Sequence, residues 1–104
     1  MSDYNELSDE QIKKLQRKFA DSWQFEKNYL VKRTEFDDYN QAVRFFLAAE
    51  KPQRELDHHA HFYFVYDTVE IILFTHDTDG VTLKDFELAL HIDAILDKMN
   101  ARDL

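Results

Sequence analysis

The chain has no cysteine, and only one glycine and one proline, among its 104 residues. Without cysteine there are no disulfides and no thiolate metal ligands, and nothing points to an oxidising compartment. One glycine cannot build a phosphate-cradling loop, which needs several in close succession. The same scarcity leaves little room for linkers, so residues 1–104 read as one domain. Serine is scarce too. Ser2, Ser8 and Ser22 all lie far from any histidine, which argues against a serine nucleophile. Thirteen basic side chains stand against 21 acidic ones, a net charge of −8. That is too few cations to neutralise nucleic-acid phosphates or an anionic lipid surface. No apolar run approaches the length of a bilayer span. The polar start from Met1 to Glu10 carries no signal-peptide or lipidation pattern. The expected setting is the cytoplasm, with neither nucleic acid nor membrane as partner.

What is present is bulky core material: nine Phe, five Tyr and one Trp. Residues 1–7 read as a frayed end. Ser8 with Gln11 forms a capping box, and Ile12, Leu15 and Phe19 follow at helical spacing to about Ala20. Trp23 and Phe25 alternate with polar residues, Lys27-Asn28 makes a turn, and Tyr29 to Phe36 is rich in strand formers. Asp37 or Asp38 caps a second helix with a stripe of Tyr39, Ala42, Val43, Phe46 and Ala49, and Pro52 marks its end. A second hairpin follows, from His61 to Tyr66 and from Val69 to Phe74, around an Asp67-Thr68 turn. Thr82 with Asp85 caps a last helix that is apolar on two sides. Those two sides predict cover by the sheet and by another subunit. The order is helix, hairpin, helix, hairpin, helix. It predicts an α+β fold: a four-stranded antiparallel sheet with three helices packed on one face.

The chemistry-bearing residues are histidines. Four of the five, His58, His59, His61 and His76, gather around the second hairpin. Counted from an Asp67-Thr68 turn, His59 sits level with His76, which brings His58, His59 and His76 to one end of the sheet. Imidazole titrates near neutral pH, so such a group can hold an acid and a base together. Asp57, Asp77 and Asp79 flank it, and Phe62, Tyr63, Phe64 and Tyr66 offer the wall of a flat-ring pocket. His61 reads as a surface or half-buried strand residue and His91 as a core residue of the last helix. Asp85 is accounted for by its cap, and the Tyr39, Phe46 and Phe86 stripes by core packing. A zinc site would need His58 and His59 on one ion, but neighbours on extended backbone point apart. Asp77-Thr78-Asp79-Gly80 lacks the third ligand position and the closing Glu of a calcium loop. No metal is expected.

Taken together, these residues resemble the pterin-4a-carbinolamine dehydratases, whose animal members also serve as dimerisation cofactors of a homeodomain transcription factor. The family's mark is a His-His-Pro run, an aromatic eight residues after the first His, a His ten residues further, and then an Asp. Here these are His58-His59-Ala60, Tyr66, His76 within Thr75-His76-Asp77, and Asp85. Gly80-Val81-Thr82-Leu83-Lys84-Asp85 is similar to the segment before the family's last helix. The chain departs from the pattern in three places: Ala60 replaces the proline, Arg54 stands where an acid is usual, and Phe62 stands where Trp is common.

The resemblance implies a hydro-lyase of tetrahydrobiopterin biosynthesis that removes water from 4a-hydroxytetrahydropterin to give quinonoid dihydropterin. No cofactor is implied. It makes His58 and His76 an acid/base pair and His59 mainly a pterin contact, with Asp57, Phe62, Tyr66, Thr75, Asp77 and Asp85 as further substrate-binding residues. It implies a homodimer or homotetramer, and a link to a pterin-dependent aromatic amino acid hydroxylase. The altered Ala60 and Arg54 keep an alternative open: a pterin-binding or protein-interaction relative with weakened catalysis.

Overall fold

A computed structural model describes residues 7–104. The frayed end expected for residues 1–7 lies outside the described residues except for Leu7, which packs partly buried against the core. Helix α1 (Asp9–Phe19) starts at the expected capping box: Gln11 N–H donates to the Ser8 hydroxyl and Ser8 N–H to the Gln11 side chain. Strands β1 (Gln24–Glu26) and β2 (Tyr29–Glu35) meet at Lys27 and Asn28. Both turn residues take left-handed φ, 52° and 70°, as a tight two-residue hairpin requires.

Helix α2 (Tyr39–Leu56) is capped by the Asp38 carboxylate on Gln41 N–H. It does not stop at Pro52 but continues one turn, to a left-handed Asp57. Proline at 52 removes one N–H from the ladder, and the carbonyl it would have served belongs to Ala48, on the exposed side of the helix. The face that α2 buries also differs from the expected stripe. Ala42, Phe45, Ala49, Pro52 and Gln53 point inward, while Tyr39 and Phe46 are 54% and 47% exposed. Both stripes fit helical spacing, and the true one lies a single residue around the helix.

Strands β3 (His61–Val65) and β4 (Thr68–Leu73) form the second hairpin, turning at Tyr66-Asp67 rather than Asp67-Thr68. Thr68 belongs to the strand because its hydroxyl donates to Val65 O, while the Asp67 carbonyl accepts from Phe36 N–H beside β2. Tyr66 takes the left-handed φ of 59°. Pairing therefore runs Val65↔Thr68 to His61↔Ile72. Continued beyond the ladder, this register sets His58 beside Thr75, not His59 beside His76.

Helix α3 (Leu83–Lys98) packs against both other helices, burying Phe86, Leu88, Ala89 and Ile92, while Leu83 and Leu90 stay exposed. His91 is exposed, not a core residue. The sheet order is β1-β2-β4-β3, all antiparallel, and a short β5 (Arg102–Asp103) pairs with β2. Nothing in the periodicity announces β5. It is held by Arg102, whose guanidinium donates to Asp37 and to the Phe36 carbonyl. Leu30, Val69, Ile71 and Leu73 face the helices and meet Phe45, Leu88, Ala89 and Ile92 in one core. Lys32 lies on the same side, buried, its ammonium 2.9 Å from Asp93 and 2.7 Å from the Ser22 hydroxyl. That ion pair ties α3 to the sheet.

Candidate active site

The end of α2, the end of β4 and the start of α3 converge on one carboxylate. Asp85, in the first turn of α3, is fully buried. Its Oδ2 accepts from the Thr75 hydroxyl at 2.8 Å and from Thr82 N–H at 2.9 Å. Its Oδ1 lies 2.6 Å from Nε2 of His58. An ionised carboxylate only accepts, so the imidazole carries its proton on Nε2. The Thr75 hydroxyl has one proton, and it goes to Asp85. The 2.7 Å contact between the two threonine hydroxyls is therefore a donation from Thr82 to Thr75. The result is an ordered chain from Thr82 through Thr75 and Asp85 to His58. The sequence reading of Asp85 as a cap holds for Thr82 N–H, and the same carboxylate also grips the histidine.

His58 is 8% exposed. With Nε2 engaged, Nδ1 is left without a partner among the described residues, yet it is not sealed off: no buried side-chain nitrogen or oxygen there lacks a hydrogen bond. It is the atom through which His58 can exchange a proton. His59 and His76 are exposed. His76 directly follows Thr75 and opens a tight loop closed by Asp79 N–H on the His76 carbonyl and Thr75 N–H on the Gly80 carbonyl. Thus His58 and His76 are joined through Asp85 and Thr75. His59 lies near Glu50 of α2. Arg54 holds the Glu50 carboxyl below the usual range, and His59 adds to that effect. Arg54, the unusual residue near the histidines, is engaged one turn back on Glu50 at 2.9 Å.

The other sequence candidates fall in different places. Asp57 is the exposed left-handed cap of α2 and Asp77 is exposed in the 75–80 loop. Asp79, in the same loop, accepts from the Tyr29 hydroxyl at 3.0 Å, which pushes the phenol pKa up. Tyr66 sits in the hairpin turn, at the opposite end of β3 and β4 from His58 and His76, and stacks on Tyr39. Within the chain it is not brought to the histidines. Strand alternation also divides the expected aromatic wall. Phe62 and Phe64 turn toward the helix side and, with Tyr39, Val43, Phe46, Ala60 and His61, line an open cavity of about 600 Å³. Tyr63 turns to the other side, and His61 stacks on Phe74 there at 4.9 Å. The cavity reaches the histidine loop at Ala60, but His58, His59 and His76 do not line it. Among the described residues no group of three His, Asp or Glu side chains is placed to hold a metal ion.

Two residues with a part in the site were not singled out by the sequence. Thr82 was visible only as a cap. Gln53 read as polar loop, although it continues the buried stripe of α2 four residues beyond Ala49.

A family model described as pterin 4 alpha carbinolamine dehydratase matches residues 5–95. A Christiangramia forsetii protein, provisionally named a pterin-4-alpha-carbinolamine dehydratase, is 34% identical over 96 residues, which are 92% of this chain and 98% of its own. A Burkholderia multivorans protein with the same provisional name is 43% identical over 60 residues, 58% of this chain. The chain spans 59% of that relative's length, and 62% of a similar one from Paraburkholderia xenovorans. Among solved structures, a transcriptional coactivator/pterin dehydratase from Brucella melitensis matches with a TM-score of 0.82 and 29% identity, over 88% of this chain and 98% of that one. A pterin dehydratase-like protein identified as a RuBisCO assembly factor shares the fold, with a TM-score of 0.58 and 24% identity over 70% of this chain and 84% of its own. No helix among the described residues is long and apolar enough to cross a membrane. With the family model spanning residues 5–95 and His58 anchored on Asp85, the chain belongs to the pterin 4 alpha carbinolamine dehydratase family.

Proposed function

We propose that this chain is a 4a-hydroxytetrahydropterin dehydratase working by histidine acid/base catalysis. The observation that carries the reading is the buried His58–Asp85–Thr75 chain, with His76 next along the backbone. In the reaction the C4a–O bond breaks and the hydroxyl leaves as water, taking a proton from an acid. The ring nitrogen beside C4a gives its proton to a base, and its electron pair closes the C=N bond of the quinonoid product. Atoms balance with the loss of one water, and no electrons are exchanged.

His58, oriented through Nε2, offers Nδ1 for one of the two transfers, and exposed His76 serves the other. His59 contacts the pterin. Paired proton transfers of this kind each supply typically about 10²–10⁴-fold. The proposed setting is the cytoplasm, with a pterin-dependent aromatic amino acid hydroxylase supplying the substrate. The decisive assay follows dehydration of 4a-hydroxytetrahydropterin by wild type, His58→Ala and His76→Ala. Both variants should lose activity strongly while keeping their fold. Unchanged turnover in both would sink the assignment. Pterin binding without wild-type turnover would move the chain to a binding role.

The quaternary part of the proposal rests on β3. It is the outermost strand on its side of the sheet, and Tyr63, Val65 and Tyr66 on or beside it are 58%, 71% and 68% exposed. We infer that a second copy covers this edge in a homo-oligomer.

A further inference from the structure

Gln53 is 7% exposed in the last turn of α2, and every polar group it presents there is used. Its carboxamide Nε2 donates to the Ala49 carbonyl at 3.0 Å. Its Oε1 accepts from Ala60 N–H at 2.9 Å. Its backbone carbonyl accepts from His58 N–H at 3.0 Å. One residue thus holds the amides on both sides of His59, while Asp85 holds the ring of His58. The Ala49 contact locks the carboxamide, so the acceptor that meets Ala60 is fixed to the helix.

Only a carboxamide of this length can do both jobs at once. A glutamate would accept from Ala60 but could not donate to Ala49, and an aliphatic residue would do neither. The need arises from residue 60. Alanine there carries an N–H in a half-buried position and has free φ. A proline would carry no N–H and would fix φ by its ring.

We propose that Gln53 is the positioning residue of the histidine loop, replacing by a hydrogen bond the constraint that a proline at 60 would supply covalently. The inference rests on the dehydratase reading, since it assigns Gln53 an effect on turnover through His58 and His59. It makes Gln53 and Ala60 a matched pair, so their effects must be non-additive.

The test is a cycle of four full-length proteins: wild type, Gln53→Ala, Ala60→Pro, and the double variant. The readouts are kcat and KM for 4a-hydroxytetrahydropterin, and hydrogen exchange at the Ala60 amide. Gln53→Ala should lower kcat on the order of tenfold, since small misplacement of a reacting group is costly. It should also speed Ala60 exchange by a similar factor. Ala60→Pro should also be slowed, because Gln53 Oε1 is then buried without its donor. The double variant should be faster than Gln53→Ala and approach wild type. A double variant slower than either single change would overturn the proposal, as would wild-type kcat in Gln53→Ala. Absence of turnover in wild type would overturn the dehydratase reading and the catalytic half of this inference with it. The Ala60 exchange rate would still decide separately whether Gln53 holds the loop: an unchanged rate in Gln53→Ala refutes it.

Discussion

His58 Nε2 lies 2.6 Å from Asp85 Oδ1, across 27 residues of sequence, and both side chains are buried. The contact fixes which ring nitrogen is protonated and so which one is free for chemistry. Replacing Asp85 by Asn keeps the shape but sets an NH2 group against a donor, either the His58 N–H at Oδ1 or the Thr75 hydroxyl and Thr82 N–H at Oδ2. The ring then loses its tautomer and orientation. We expect kcat to fall by at least about a hundredfold, in line with what comparable histidine–aspartate pairs lose. Asp85→Ala leaves Thr75, Thr82 N–H and His58 without their acceptor, each at about 1–3 kcal/mol. Urea unfolding should show a loss of about 3 kcal/mol or more. Asp85→Asn with wild-type kcat would remove His58 from the mechanism.

Thr75 is the hinge between the two histidines proposed as acid and base. Its hydroxyl gives to Asp85 and receives from Thr82. Thr75→Val keeps the shape and β-branching but breaks both links. The expected cost is about 1–3 kcal/mol in stability, because Thr82 loses its acceptor and Asp85 a donor. Thr75→Ser keeps the hydroxyl and should recover most of the kcat lost in Thr75→Val. Equal kcat in the two variants would mean that the hydroxyl chain does not reach the chemistry.

The loop that carries His76 is tied to β2 by the Tyr29 hydroxyl, which donates to Asp79. This hydrogen bond raises the Tyr29 pKa above its ordinary value of 10.0, because ionisation would destroy the donor and set two negative charges together. A pKa raised in the folded state means stability that is present below pH 10 and lost as pH climbs past it. The stability difference between wild type and Tyr29→Phe should therefore be flat from neutral pH to about pH 9 and shrink above pH 10. An absorbance titration of the phenolates, wild type minus Tyr29→Phe, should place the Tyr29 component later than an ordinary tyrosine. A component at or below the ordinary value would show that the contact with Asp79 does not form in solution.

Much of this molecule could be read from local signals. Ser8 with Gln11, Asp38, and Lys27-Asn28 act through bonds within a few residues, so helix starts and the first turn were legible. The turn at Tyr66-Asp67 was not, because an aromatic in a left-handed position is set by the Phe36 amide of a distant segment. That one-residue shift of the turn sets His58 beside Thr75 where the count from the sequence set His59 beside His76. Pro52 looked like a stop because sequence cannot show that the affected carbonyl faces outward. The site divides the same way. His58, His59 and His76 were singled out by spacing and resemblance. The grip of Asp85 on His58 was hidden behind a valid local explanation, the cap on Thr82. Gln53 gave no signal beyond its place on the buried stripe, since its acceptor and donor lie on either side of it in sequence.

The edge of β3 yields the last prediction. His61 to Val65 contains no acidic residue and no lysine or arginine, and the exposed residues that share a cavity with Phe62 and Phe64, Tyr39, Val43 and Phe46, are uncharged too. On a chain with a net charge of −8, two copies repel over most of their surfaces and meet most easily where charge is absent. An outer strand also presents unpaired backbone groups that a second strand can satisfy. Two antiparallel β3 strands related by a two-fold axis near Tyr63 would bring that residue opposite its own copy. Tyr63→Lys then sets two ammonium groups against each other across the strand pair, a like-charge contact that opposes association. Its side chain lies on the sheet face away from the helices, so the fold of each copy should survive. Sedimentation should give wild type a mass of twice or four times the 12.5 kDa chain, and Tyr63→Lys a smaller assembly. A wild type that sediments as a single chain, or a Tyr63→Lys variant that assembles unchanged, would rule this edge out as the contact between copies.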